Sequence, residues 1–234
     1  MKKNKILIVA AHPDDEILGC GGSIAKLKDT NDINVLFMTN GVSSRGKNKK
    51  KILERKAACL KLFKHLSLPN PIFFNFPDNE MDKVSLLKIV KKVEEKIRHF
   101  TPDTVITHYS HCLNIDHRMT FEAVITACRP INNLSVKKIL SFEIPSSTEW
   151  ALFKGKNFQP NYFIDISKHI NKKLTLIKFY KDELRNYPHS RSSYAIKSLA
   201  SVRGVSCGVR YAEGFYLNRL VDYGIIVISW NVGI

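Results

Sequence analysis

Of the 234 residues, five are cysteines, and no two of them stand in a Cys-x-x-Cys spacing. An odd number without that spacing argues against a disulfide framework and against a structural zinc knuckle. No apolar run approaches the ~20 residues that a spanning helix needs, so no transmembrane segment is expected. The run Ile6 to Ala11, behind Lys2, Lys3 and Lys5, ends in His12-Pro13-Asp14-Asp15-Glu16. That is too short and too acidic for a secretory leader, and a cytoplasmic setting is expected. No Gly/Ser-rich or Pro-rich linker and no internal repeat interrupts the chain, so residues 1–234 are read as a single domain. RNP, helix-turn-helix and zinc-finger signatures are missing too, which counts against a nucleic-acid binder. Acidic residues are scarce: 21 Asp and Glu face 37 Lys and Arg, for a net charge of +16. Such a surplus predicts a positive field and anionic partners without specifying a fold.

What is present is an alternation of short β-branched runs and longer amphipathic ones. Residues 6–10, 33–38, 72–76, 104–107 and 139–142 read as buried strands. Residues 51–66 read as a helix with Ile52, Leu53, Ala57, Leu60 and Phe63 on its apolar face. Residues 84–99 read as another, burying Val84, Leu87, Val90, Val93 and Ile97. Alternating strands and helices imply right-handed crossovers and a mostly parallel sheet, with ligands beyond the carboxyl ends of the strands. Further on, 162–166 is strand-like, 167–186 a helix with Ser167 as N-cap, and 192–202 a helix stopping at Gly204. Residues 212–220 and 225–230 are expected as edge strands.

Chemistry concentrates at two of those strand ends. Ala11-His12-Pro13-Asp14-Asp15-Glu16 packs an imidazole and three carboxylates directly after the first strand. His12 and Asp15, three apart across a turn, can converge on one cation, with Asp14 beside it. The second cluster, Thr107 to Arg118, follows the fourth strand in a stretch read as free of helix. From there His117 can complete a His/Asp/His set with a fourth position open, the arrangement of a catalytic rather than structural zinc. Asp116 can orient an imidazole from behind. The Gly19-Cys20-Gly21-Gly22 stretch reads as the turn opening a helix.

Together these clusters resemble the LmbE-like/PIG-L family of zinc-dependent N-acetyl-sugar deacetylases. The resemblance rests on AHPDDE at 11–16 and NxDHR at 114–118. It extends to Arg129-Pro130, to 162–166 with the helix after it, and to Tyr211-Ala212-Glu213-Gly214-Phe215. It implies a Rossmann-like α/β fold, a mostly parallel sheet with helices on both faces, and an active site at the carboxyl ends of the strands. It implies zinc held by His12, Asp15 and His117, with Asp14 as general base and Asp116 supporting a neighbouring histidine. One position departs: many relatives carry a histidine where this chain has Asn114. An amide donates a hydrogen bond but does not shuttle a proton. Either His108 or His111 substitutes, or Asp14 itself returns the proton.

From Arg45 to Lys64 nine residues are basic and only Glu54 is acidic. Most of that stretch reads as a solvated face. Arg55 aligns loosely with a substrate-contacting arginine of some relatives, and with Arg118 it is a candidate guide for an anionic group. The leading expectation is thus a zinc amidohydrolase acting on a small N-acetyl sugar bearing a nucleotide, lipid phosphate or similar group, with a homo-oligomer left open. The alternatives are a thiol-precursor glycoside deacetylase of the bacillithiol or mycothiol type, and a non-catalytic basic protein binding nucleic acid or an anionic membrane surface.

Overall fold

In the computed structural model, which describes residues 3–46, 48–131, 135–152 and 157–221, alternate residues of the first strand go to opposite sides of a sheet. The strands are β1 (Asn4–Ala10), β2 (Asn31–Phe37), β3 (Ile72–Phe73), β4 (Thr104–His108), β5 (Lys138–Phe142), β6 (Tyr162–Asp165) and β7 (Ala212–Leu220). The helices are α1 (Asp15–Leu27), α2 (Lys49–Leu66), α3 (Leu86–Phe100), α4 (Ile115–Ala127), α5 (Ile170–Leu176) and α6 (Ser193–Val205). The sheet order is β3-β2-β1-β4-β5-β7-β6. The strands from β3 to β5 run parallel, while β7 is antiparallel to both β5 and β6. Ile6, Ile8 and Ala10 face one core with α1, α2 and Tyr180; Leu7 and Val9 face a second core with α3 and α4. This is the expected doubly covered α/β fold. Its strand order reverses between β1 and β4, and at such a switch point the loops part to leave a crevice.

Several local expectations shift. β3 spans only two residues, because Phe74 and Phe76 bond back to β2 and the segment after it as a looser extension. The buried stripe of α2 is Arg55, Cys59, Leu62, Phe63 and Leu66, while Leu53 is exposed. That stripe is helical in spacing but opens on an arginine, so hydrophobicity alone misplaced it. In α3, Leu87 is exposed and Ile89 takes its place in the core. α4 begins at Ile115, so Asp116, His117 and Arg118 lie in a helix rather than a helix-free loop. Ser167 bonds Asp165 instead of capping a helix; α5 starts after His169 and gives way to tighter turns at 177–179 and 181–183. Those turns bring Tyr180 under α1, where its hydroxyl donates to Glu16 at 2.6 Å. α6 runs through Gly204, with Ser192 as the N-cap. β7 lies inside the sheet and β6 forms the edge. The expected strand 225–230 falls outside the described residues.

The glycines of α1 serve packing. The helix kinks at Cys20, and a Cβ on Gly19 would meet Phe142 at 2.5 Å, one on Gly22 Ile166 at 2.7 Å. The kink frees the backbone N–H groups of Gly22 and Ser23, which donate to the buried Glu213 carboxylate at 2.8 and 2.7 Å. Lys173 neutralises Glu213 at 2.6 Å and also donates to the Leu18 carbonyl. A helix broken in mid-course is thereby capped internally, and its first turn stays aimed at the crevice.

Candidate metal centre and cavity

The chain leaves β1 through a sharply constrained loop. Asp14 has φ +143°, a region that disfavours side chains and costs of order 1–3 kcal/mol. Neighbours over-determine that conformation. The Asp14 N–H donates to Glu16 at 2.9 Å, its carbonyl accepts from Leu18 at 2.9 Å, and Arg55 clamps the Pro13 carbonyl at 2.8 Å. Gly41, at φ +69°, lets the β2 loop pass His12 so closely that a Cβ there would stand 3.0 Å from the His12 Cβ. Backbone strain held by buried polar contacts is characteristic of working sites.

This loop and the start of α4 converge on one point. His12 Nδ1 lies 3.1 Å from Asp15 Oδ2 and 3.2 Å from His117 Nε2, and His117 Nε2 lies 3.4 Å from Asp15 Oδ2. A tetrahedral cation with bonds of ~2.0–2.1 Å sets its ligands ~3.3 Å apart. Among the described residues Asp15 Oδ1 has no hydrogen-bond partner although it is buried. Burial opposes charge on both imidazoles, yet Asp116 and Asp15 take His12 up to about 10, and Asp15 with Cys112 takes His117 up to about 9. The pocket between them therefore favours positive charge. Two nitrogens and a carboxylate, with an orphaned oxygen, suit a divalent metal.

The groups behind these three are fully engaged. Asp116 accepts from His12 Nε2 at 3.1 Å and from the N–H groups of Asn79 at 2.7 Å and Met81 at 3.1 Å. It is buried and faces His12 rather than the crevice, so it orients rather than reacts. His117 Nδ1 meets the buried thiol of Cys112 at 3.1 Å, and that sulfur also contacts the hydroxyls of Ser147 at 3.0 Å and Thr148 at 3.5 Å. Burial pushes the thiol up, but His117 and these bonds outweigh it and bring it to about 7. His108 stacks on His117 at 3.9 Å, is fully buried, and accepts the Ala11 N–H at Nε2. Burial and His117 hold it well below the usual histidine range.

Three sequence candidates are occupied elsewhere. Asn114 caps α4, accepting from Asp116 and His117, while its amide donates to Asn79 at 2.8 Å. His111 bonds Ser110 at 2.6 Å and does not line the cavity. Arg118 donates to the carbonyls of Cys112 and Leu113. Arg55 is also turned inward, onto Pro13, Glu183 and, at 3.7 Å, Asp14. Each is a polar group whose bonds tie together the loops around the crevice, and of the four only Asn114 also lines the cavity.

Above the cluster is a cavity of about 280 Å³ walled by His12, Asp14, Asp78, His117, Glu183, Arg185, His189 and Arg191, among others. Arg191 bonds Asp14 at 3.1 Å and Glu183 at 2.6 Å, and Glu183 also bonds Arg55. Burial and the neighbouring Asp15 push the Asp14 carboxyl up, Arg191 and Arg55 pull it down, and it settles at about 6. Sequence reasoning missed Asp78, Glu183, Arg185, His189 and Arg191. Pro77-Asp78-Asn79-Glu80 was findable, being another acidic loop at a strand's carboxyl end. The others come from the irregular segment 181–191 and carry no local signal.

The fold is similar to that of the N,N′-diacetylchitobiose deacetylase from Pyrococcus horikoshii, with a TM-score of 0.74 at 21% identity over 97% of this chain and 88% of that one. In sequence the chain is 28% identical over 187 residues to the uncharacterized deacetylase YaiS of Escherichia coli, covering 77% of this chain and 92% of that protein. It is 26% identical over 226 residues to the diacetylchitobiose deacetylase of Thermococcus kodakarensis, covering 90% and 81%. The family model for PIG-L, GlcNAc-PI de-N-acetylase, matches residues 7–128, more than half of the chain and both metal-capable loops. The chain belongs to the PIG-L family of deacetylases.

Proposed function

We propose that this protein is a zinc-dependent hydrolase that removes the acetyl group from an N-acetylated amino sugar. The observation that carries the reading is the convergence of His12, Asp15 and His117 beside Asp14 in one cavity. His12, Asp15 and His117 would hold the cation, which when bound supplies Lewis acidity and lowers the pKa of water toward ~7. Asp14 takes the proton of the water that attacks the acetamide carbon. A carboxyl at about 6 is poised to accept that proton and return it to the departing amine. Asn114, His108 and His111 are committed elsewhere, which supports giving the acid role to Asp14 as well. Asp116 acts through His12, fixing the ring that faces the cation. Arg191, itself anchored on Glu183, holds the Asp14 carboxylate against rotation.

The +16 charge does not concentrate here. Asp14, Asp78 and Glu183 share the cavity with two guanidiniums, and Arg191 is taken up by the Asp14 and Glu183 carboxylates while Arg185 donates only to backbone carbonyls beside it. Support for an anionic substituent therefore rests on Arg185 alone, at the mouth. The test is metal analysis of protein purified without chelator, with acetate release from free, nucleotide-linked and lipid-linked N-acetyl sugars. Asp14→Asn should retain metal and lose turnover by ~10²-fold or more. A fully active, metal-replete Asn variant would refute the assignment.

A further inference from the structure

The start of α1 departs from the usual chemistry of a helix terminus. An aspartate just before a helix ordinarily turns its carboxylate onto the N–H groups of the first turn, which have no partner within the helix. Asp14 holds that position, yet its side chain makes no such bond. Its φ of +143° differs from the extended conformation of an ordinary cap. Its carboxylate instead bonds Arg191 at 3.1 Å on the cavity wall.

The first turn is satisfied by Glu16, which is fully buried and accepts the Asp14 N–H at 2.9 Å. The same carboxylate takes a hydrogen bond from the N–H of Glu16 itself, one of the two that an aspartate cap uses. Its other oxygen accepts the Tyr180 hydroxyl at 2.6 Å. Tyr180 is only 2% exposed, and its carbonyl accepts the Glu183 N–H at 2.9 Å. Glu183 in turn carries Arg191 and Arg55, and the Arg55 guanidinium lies 5.8 Å from the centre of the Tyr180 ring. The turn 180–183 thus holds Asp14 from two sides, its backbone through Glu16 and its carboxylate through Arg191.

We propose that Glu16 and Tyr180 are positioning residues for the base: Glu16 caps α1 in place of Asp14, and Tyr180 fixes Glu16, so that the Asp14 carboxylate stays in the cavity. Two arrangements of one loop compete. In the first, Asp14 is strained and faces the cavity. In the second, its φ relaxes and its carboxylate folds back onto the N–H groups of Glu16 and Ile17. The second is what an aspartate before a helix prefers locally, and the hydroxyl that opposes it comes from 164 residues away. This inference rests on the deacetylase reading with Asp14 as base and goes beyond it, because neither Glu16 nor Tyr180 lines the cavity.

The test compares Glu16→Ala, Glu16→Gln and Tyr180→Phe in the metal-loaded full chain, by acetate release from N-acetylglucosamine and N,N′-diacetylchitobiose. A capping bond shifts a local equilibrium about tenfold, so Glu16→Ala should lower kcat about tenfold at unchanged KM and metal content. Tyr180→Phe keeps the ring and loses one hydrogen bond, and kcat should fall about threefold. Glu16→Gln still offers an oxygen to the N–H groups, while the Tyr180 hydroxyl accepts from its amide, and most of the rate should return. Crystal structures read the loop without substrate: Asp14 should leave Arg191 and bond the first turn of α1 in Glu16→Ala, and stay in place in Glu16→Gln. A folded Glu16→Ala protein with native kcat, a Glu16→Gln protein just as slow, a loss carried by KM, or an Asp14 still on Arg191 would overturn the proposal. If Glu16→Ala does not fold, Tyr180→Phe decides alone, and native kcat there overturns it. If no sugar releases acetate, the deacetylase reading fails; the capping exchange then stands if Asp14 folds back in the variant crystals, and falls otherwise.

Discussion

Replacing Cys112 tests whether the metal-capable cluster is built as the geometry implies. His117 presents Nε2 to His12 and Asp15, so its Nδ1 proton points at the Cys112 sulfur, 3.1 Å away and buried. Cys112→Ala removes the acceptor and leaves that N–H without a partner. An orphaned buried donor costs ~1–3 kcal/mol. Loss of a partner behind a metal ligand typically weakens metal binding ~10–100-fold, which is ~1.4–2.7 kcal/mol. The two ranges agree, and the expectation is a rise of one to two decades in the zinc dissociation constant. Cys112→Ser keeps an acceptor facing Nδ1 and should recover most of the loss. Competition against a chromophoric chelator measures the constant in all three proteins. Thermal midpoints of the metal-free forms separate it from general destabilisation, because Cys112 also touches Ser147 and Thr148. If Cys112→Ala binds zinc as tightly as the native protein while folded, or if the Ser variant is as weak as the Ala one, the orienting role is wrong.

Other substitutions probe the scaffold and the base. Lys173→Met leaves the buried Glu213 carboxylate uncompensated, so denaturant melts should show a loss of ~3–5 kcal/mol; a loss below 1 kcal/mol would contradict the pairing. Gly22→Ala drives a methyl into Ile166 and should cost ~1–3 kcal/mol. Adding Ile166→Val should return part of that in a double-mutant cycle, and strict additivity would mean the clash is absent. Arg191→Lys keeps a positive charge but cannot bridge Asp14, Glu183 and Ser146 together. Its kcat/KM should fall about tenfold or more at unchanged metal content, and an unaltered rate would remove Arg191 from the positioning of Asp14.

The sheet was legible in the chain because burial on both faces writes continuous apolar runs, as in Ile6 to Ala10, and helices between such runs dictate parallel crossovers. Helix faces were less legible. α2 hides Arg55 in its buried stripe, and a hydrophobic count rotates the helix away from a charged residue that ion pairs make cheap to bury. The last third resisted for a different reason. Its course from α5 into two tight turns is set by where Tyr180 and Glu183 must reach, under Glu16 and onto two arginines.

By itself, then, the sequence determined the α/β class and the three side chains that meet at the candidate metal centre. Those groups sit in short loops directly after strands, where position in the chain nearly equals position in space. Only the tertiary structure decided what surrounds them. It turned Arg55 and His108 inward as structural partners, made Asn114 the cap of α4, and brought Arg191 across 177 residues of chain to Asp14. It also set Arg185 and His189 on the cavity wall. Contacts of that separation depend on how helices and turns pack against the finished sheet, and no local period or spacing records them.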